Sequence, residues 1–96
     1  MELIDVLKAV HVVISGKVQG VWFRANTKQQ AEQRNVSGWV RNTSDGKVEV
    51  VFQGDEQSVD ALIFWCHQGS PMSNVTDVTV ESLDTDEEIQ GFNIRY

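Results

Sequence analysis

One cysteine and one proline in 96 residues leave this chain few covalent or rigid constraints. With Cys66 alone, no intrachain disulfide can form and no thiolate cluster can hold a metal. That usage fits a reducing compartment. Basic residues are scarce as well: 8 Lys and Arg against 14 Asp and Glu give a net charge of -6. The global field therefore repels nucleic acid and anionic membranes, so an anionic ligand must be caught by a local positive site. Long apolar runs are missing too, and no stretch approaches the roughly 20 apolar residues of a membrane span. Residues 1–7 (MELIDVL) carry Glu2 and Asp5 and lack the basic start of a signal peptide. No repeat, linker or low-complexity tract divides the chain. The expectation is a soluble cytoplasmic monomer, with a short extension over residues 1–8 and one domain over 9–96. Neither a nucleic acid nor a membrane is expected as partner.

What is present is patterned. Residues 9–15 are β-branched and alternating, with Val10, Val12 and Ile14 on one face, which predicts a strand against a core. Residues 27–35 (TKQQAEQRN) are helix formers with a thin apolar face: Phe23, Thr27 and Ala31 recur every four residues. Asn35 suits a left-handed terminator. A second strand over 36–43 turns Val36, Gly38, Val40 and Asn42 one way and Trp39 and Arg41 the other. Asp45-Gly46 then signals a hairpin, and Val48, Val50 and Phe52 share a face of a third strand over 47–53. In residues 55–68, Val59, Leu62, Ile63 and Cys66 fall at i, i+3, i+4 and i+7, a core-facing helical stripe. Asp55 and Glu56 suit its start and Gly69 its stop. A fourth strand over 75–82, an acidic turn over 84–88 and a short fifth strand over 92–96 complete the chain. This order predicts an α+β, ferredoxin-like βαββαβ sandwich: an antiparallel sheet, two helices on one face, and a short C-terminal strand.

The stretch SGKVQGVWFRANT, residues 15–27, lies where the first strand hands over to the first helix. Gly16 and Gly20 permit backbone angles and close approach that side chains would block. Such a turn can aim successive N–H groups at one point, at the positive end of a helix, and so hold a phosphate-sized anion. Arg24 adds a charged fork matched to phosphate oxygens. Val21 and Trp22 stand where a Walker motif needs Gly-Lys, so this is no nucleotide P-loop. Two glycines and an arginine also describe an ordinary strand–helix turn with a surface charge, and composition alone leaves both readings open.

The letters themselves say more. Gly16-Lys17-Val18-Gln19-Gly20-Val21-Trp22-Phe23-Arg24 closely resembles G-x-V-Q-G-V-x-F-R, the signature of the acylphosphatase family. Gly38-Trp39-Val40-Arg41-Asn42 with Asp45-Gly46 resembles that family's second block, G-W-V-x-N followed by a D-G turn. The resemblance runs from about Ala9 to the C-terminus, in the family's strand order. It implies hydrolysis of small acyl phosphates, such as acetyl or carbamoyl phosphate, to carboxylate and inorganic phosphate, without metal or cofactor. It also implies roles by position. Arg24 and the backbone of Gln19, Gly20, Val21, Trp22 and Phe23 would hold the phosphate, and Asn42 would position the attacking water. The chain departs from the family at Arg34-Asn35-Val36, where relatives carry a Leu-Gly type segment, and at Gly69-Ser70-Pro71, where they often carry Gly-Pro. Both departures lie outside the phosphate-binding block.

A carboxylate leaves readily, so such a reaction needs positioning and charge stabilisation more than a general acid. Arg24 cannot act as a base at neutral pH. Asn42 can accept a hydrogen bond from water but cannot take its proton, which would pass to a phosphate oxygen or to solvent. The other candidates have structural explanations. His11 is expected on the outer sheet face, His67 at a helix C-terminus, and Cys66 as an inert core thiol. Trp39 and Phe23 read as packing residues, Phe23 supporting Arg24. Lys17 and Arg41 read as surface charges, and the carboxylates of 84–88 as a solvated loop. The alternative function is a non-catalytic anion-binding or regulatory module on the same fold, which would not need a water-positioning amide. RNA binding fails on charge and on the absence of an aromatic RNP motif. A carbamoyl-phosphate-handling domain of the kind fused to hydrogenase-maturation proteins is the remaining alternative.

Overall fold

A computed structural model of the chain describes residues 6–96. Its elements run β1 (Leu7–Lys17), α1 (Phe23–Gln33), β2 (Ser37–Asn42), β3 (Val48–Asp55), α2 (Glu56–Gln68), β4 (Asn74–Leu83) and β5 (Phe92–Arg95). The strands form one sheet in the order β4-β1-β3-β2-β5. Alternation in the sequence becomes sidedness here. Val10, Val12 and Ile14 of β1, Val48, Val50 and Phe52 of β3, Val40 of β2 and Phe92 of β5 are buried in one cluster. Phe23 and Ala31 of α1 and Val59, Leu62 and Cys66 of α2 join the same cluster, so both helices cover one face. Full burial of each large side chain stabilises by about 1.5–3 kcal/mol relative to exposure.

Three features depart from the sequence expectation. Helix α1 begins at Phe23, with Arg24 in its first turn as expected, but its N-cap is Trp22 in a left-handed conformation (φ 63°). A non-glycine residue rarely does this, so no propensity signals it. Strand β1 begins at Leu7, so the last two residues of the expected 1–8 extension belong to the sheet. The Val6 carbonyl also accepts a bond from the Glu56 N–H at 2.8 Å; residues 1–5 lie outside the described residues. The third difference is in the sheet. β1, β2, β3 and β4 are antiparallel as expected, but β5 runs parallel to β2.

That parallel pairing has a positional consequence. β1, β2 and β5 all point the same way, since β1 and β2 each oppose β3 and β5 follows β2. Their C-terminal ends therefore meet at one end of the sheet, where α1 starts.

The other helix is better capped. Asp55 accepts bonds from the N–H groups of Gln57 and Ser58, a cap worth about 1 kcal/mol. Bonding from Ser58, with help from Gln57, holds its carboxyl below the usual carboxylate range. The Asp45-Gly46 hairpin forms as expected, closed by Thr43 N–H to Lys47 O at 2.9 Å. Asn35 ends α1 region with a left-handed φ of 56°. No helix among the described residues is long and apolar enough to cross a membrane.

Gly38 shows what its motif position is for. It has φ 143°, and a Cβ there would sit 1.8 Å from the Val51 carbonyl oxygen of β3. Only glycine lets β2 lie flush on β3, and that register sets Asn42 opposite Val48. Gly38→Ala should cost about 1–3 kcal/mol from backbone strain alone, with the collision adding to it. Denaturant unfolding measures this. A loss within about 0.5 kcal/mol, typical of a surface substitution, would contradict the close approach.

Candidate active site

At the shared end of β1, β2 and β5 lies a cleft of roughly 340 Å³. Val18, Gly20 and Trp22 of the loop line it with Phe23, Arg24 and Ala25 of α1, Asn42 of β2, and Ile94 and Tyr96 at the end of β5. The two blocks of the sequence, 18 residues apart from Arg24 to Asn42, thus line one space.

The loop backbone alternates in hand. Gly20 (φ 73°) and Trp22 (φ 63°) are left-handed, while Val21 between them is not. Alternation of this kind turns successive N–H groups toward one side and makes an anion-binding concavity. The N–H groups of Gln19, Gly20, Val21, Trp22, Phe23 and Arg24 donate to no acceptor among the described residues. Helix α1 has no side-chain cap and no acidic residue in its first turn. Its N-terminal partial positive charge is left uncompensated by the described residues.

Arg24 forms no ion pair among the described residues; its guanidinium carbon lies 4.9 Å from the Tyr96 ring centroid. Aromatic contact orients a cation without neutralising it. Asn42 is half-buried, and its amide oxygen is buried with no partner among the described residues. An unpartnered buried acceptor costs about 1–3 kcal/mol, so the site retains a polar group that the fold does not satisfy.

Three side chains that sequence reasoning missed hold the loop. Gln19 Nε2 donates to the carbonyls of Thr43 (2.8 Å) and Lys47 (2.9 Å), tying the loop to the hairpin beside Asn42. Ser70 Oγ donates to the Val21 carbonyl at 2.8 Å from beneath. Asn26 Nδ2 and its N–H both donate to the Trp22 carbonyl, at 2.8 and 3.0 Å. The Gln19 and Ser70 bonds span 24, 28 and 49 residues, distances at which no local pattern exists. Tyr96 was missed as a site residue for the same reason, since the parallel placement of β5 brings it to the cleft.

The competing residues sit elsewhere. His11 Nε2 lies 2.6 Å from Glu49 Oε2, and Arg41 also pairs with Glu49. His11, Glu49 and Arg41 alternate with inward valines in the sheet register, so this cluster lies on the outer face. Bonding with His11, reinforced by Arg41 against the opposing effect of burial, holds the Glu49 carboxyl below its usual range. Glu49 therefore stabilises the fold above the ordinary glutamate range and loses that contribution as pH falls through its depressed value. Trp39, on the same face, lies under Arg95 (4.5 Å) and Arg41 (5.9 Å). Phe23 packs on Trp65 at 5.4 Å. Burial pushes the Cys66 thiol up to about 12, so it is no nucleophile at neutral pH. His67 Nδ1 bonds the Ile63 carbonyl at the end of α2. In the acidic turn, Asp86 is held by both ends of the Gln53 amide. Among the described residues no group of three or more His, Cys, Asp or Glu could hold a metal.

Comparison with known proteins gives the family. The family model for Acylphosphatase matches residues 10–94. An acylphosphatase of Haloquadratum walsbyi is 56% identical over 85 residues, covering 88% of this chain and 90% of that protein. The crystal structure of acylphosphatase from Bacillus subtilis superimposes with a TM-score of 0.89 at 35% identity, over 95% of this chain and 100% of that one. An acylphosphatase structure from Coxiella burnetii gives a TM-score of 0.88 at 37% identity, with 93% of both chains covered. This chain belongs to the acylphosphatase family.

Proposed function

We propose that the cleft hydrolyses small acyl phosphates to carboxylate and inorganic phosphate. The backbone N–H groups of residues 19–23 and the Arg24 guanidinium hold the phosphoryl group, and Asn42 orients the attacking water. One coincidence carries the reading. An uncapped helix start, a guanidinium with no carboxylate partner among the described residues and the Asn42 side chain all line one cleft. The first two supply positive charge where a phosphoryl group would sit, and the third supplies a side-chain amide to orient a water. Charge on the transferring group is spread over preset donors that need no reorganisation during the reaction. Asn42 aligns the water without deprotonating it, so its proton passes to a phosphate oxygen or to solvent. We further place the protein as a cytoplasmic monomer, a placement that the lone buried Cys66 suits.

Selectivity should follow the leaving group. A carboxylate departs unaided, whereas an alkoxide needs a proton, and the cleft lining holds no His, Asp or Glu to give one, leaving the Tyr96 phenol as its one candidate acid. The test compares an aroyl phosphate with an alkyl phosphate monoester, each with and without excess chelator. Rapid, chelator-insensitive cleavage of the first and negligible cleavage of the second are expected. Comparable rates on both would reveal a general acid, and loss of turnover restored by one metal would overturn the mechanism.

A further inference from the structure

We propose that Ser70 is a positioning residue that aims the Trp22 N–H into the phosphate cradle; the proposal rests on the reading of the cleft given above. The argument starts from the peptide plane. Every described peptide bond is trans, so the Trp22 N–H points opposite to the Val21 C=O that shares its plane. That carbonyl is taken by Ser70 Oγ at 2.8 Å. The N–H is thereby directed away from Ser70, and Trp22 is among the residues that line the cleft whereas Val21 and Ser70 are not. That N–H has no acceptor of its own among the described residues.

Ser70 has little freedom to do otherwise. It is 2% exposed, and its own carbonyl accepts from the Ser73 N–H at 3.0 Å and from Ser73 Oγ at 2.7 Å. The preceding Gly69 is left-handed (φ 73°), and a Cβ there would lie 2.3 Å from Ser73 Oγ and 2.9 Å from Phe23 Cε2. The turn after α2 is therefore packed directly under the residue that follows Trp22. Asn26 does the corresponding job one peptide later. By holding the Trp22 carbonyl along α1, it leaves the Phe23 N–H directed out of the helix start.

Without Ser70, the Val21–Trp22 peptide would have no bond fixing its tilt, and the left-handed Trp22 would lose an interaction that holds it in an unfavourable region. A cradle works only while its donors are preset. Ser70 differs in this from a serine that merely satisfies a buried carbonyl, because its loss should change one amide's response to phosphate and not only stability.

The experiment titrates inorganic phosphate into ¹⁵N-labelled wild-type protein, Ser70→Ala and Ser70→Thr, and follows the amides of Trp22, Phe23 and Arg24. In the wild type all three should move downfield together. In Ser70→Ala the Phe23 and Arg24 responses should persist while that of Trp22 collapses. Phosphate affinity and kcat/KM should each fall at least about tenfold, within the hundredfold that a misplacement of about 1 Å can cost. Ser70→Thr, which keeps the hydroxyl, should recover the Trp22 response. A Ser70→Ala titration matching the wild type overturns the proposal. Should that variant fail to fold, the wild-type titration still decides: a Trp22 amide that stays still while Phe23 and Arg24 move overturns it and leaves the cleft reading intact. If no loop amide responds in the wild type, the cleft reading itself fails, and this proposal with it.

Discussion

Arg24→Ala is expected to lose turnover by on the order of a thousandfold or more, the range associated with arginines that neutralise a transferring phosphoryl group. Arg24 lies in the cleft without a carboxylate partner among the described residues, oriented by the face of Tyr96. Its charge is therefore available to a ligand. Arg24→Lys should recover little, since an ammonium keeps the charge but loses the planar two-point grip. Stability should scarcely change. A cation in the first turn of a helix opposes the helix dipole by about 0.3–1 kcal/mol, and its stacking on Tyr96 returns about 0.5–1 kcal/mol. These effects nearly cancel, so the loss should appear in kcat/KM and phosphate inhibition and not in the melting temperature. A lysine variant near wild-type activity would reduce the cradle to a loose electrostatic trap. A large drop in melting temperature would mean that Arg24 is structural.

Asn42→Ala separates chemistry from binding. Its side chain is expected to touch the water and not the phosphate, so turnover should fall on the order of a hundredfold. Competitive inhibition by inorganic phosphate should change little. The melting temperature should not fall, because the substitution removes a buried acceptor that has no partner among the described residues. Phosphate at about 100 times its Kd should still stabilise the variant by about 2.7 kcal/mol, as only the folded state holds the cradle. If phosphate affinity falls in step with turnover, Asn42 belongs to the cradle. If turnover is unchanged, Asn42 has no part in the reaction, and the water must be aligned by other groups.

Much of the fold was legible because its elements are written in local periods. Val10, Val12 and Ile14 alternate, and they are fully buried. Val59, Leu62 and Cys66 recur at helical spacing and are also fully buried. Asp45-Gly46 marked its hairpin, and Gly69 and Asn35 marked helix ends by left-handed tolerance. The N-cap of α1 was not legible, because a left-handed tryptophan contradicts propensity. A strained residue of this kind persists only where its surroundings hold it. Here the Val21 and Trp22 carbonyls are held by Ser70 and Asn26. The partner of His11 was not legible either. Glu49 is 38 residues away and reaches it only because β1 pairs with β3.

By itself the sequence determined which residues carry charge, which glycines bend the loop, and which two blocks resemble acylphosphatases. Each of these is a property of a residue and its near neighbours, so it does not depend on the packed fold. Tertiary structure alone decided that β5 runs parallel to β2, which brings Tyr96 to Arg24. It also decided that Gln19 clamps the hairpin of Asn42 and that Ser70 sets the peptide before Trp22. Contacts such as the Gln19 and Ser70 bonds join elements that only the packed sheet brings together. Their energy depends on a geometry that no local stretch of residues encodes.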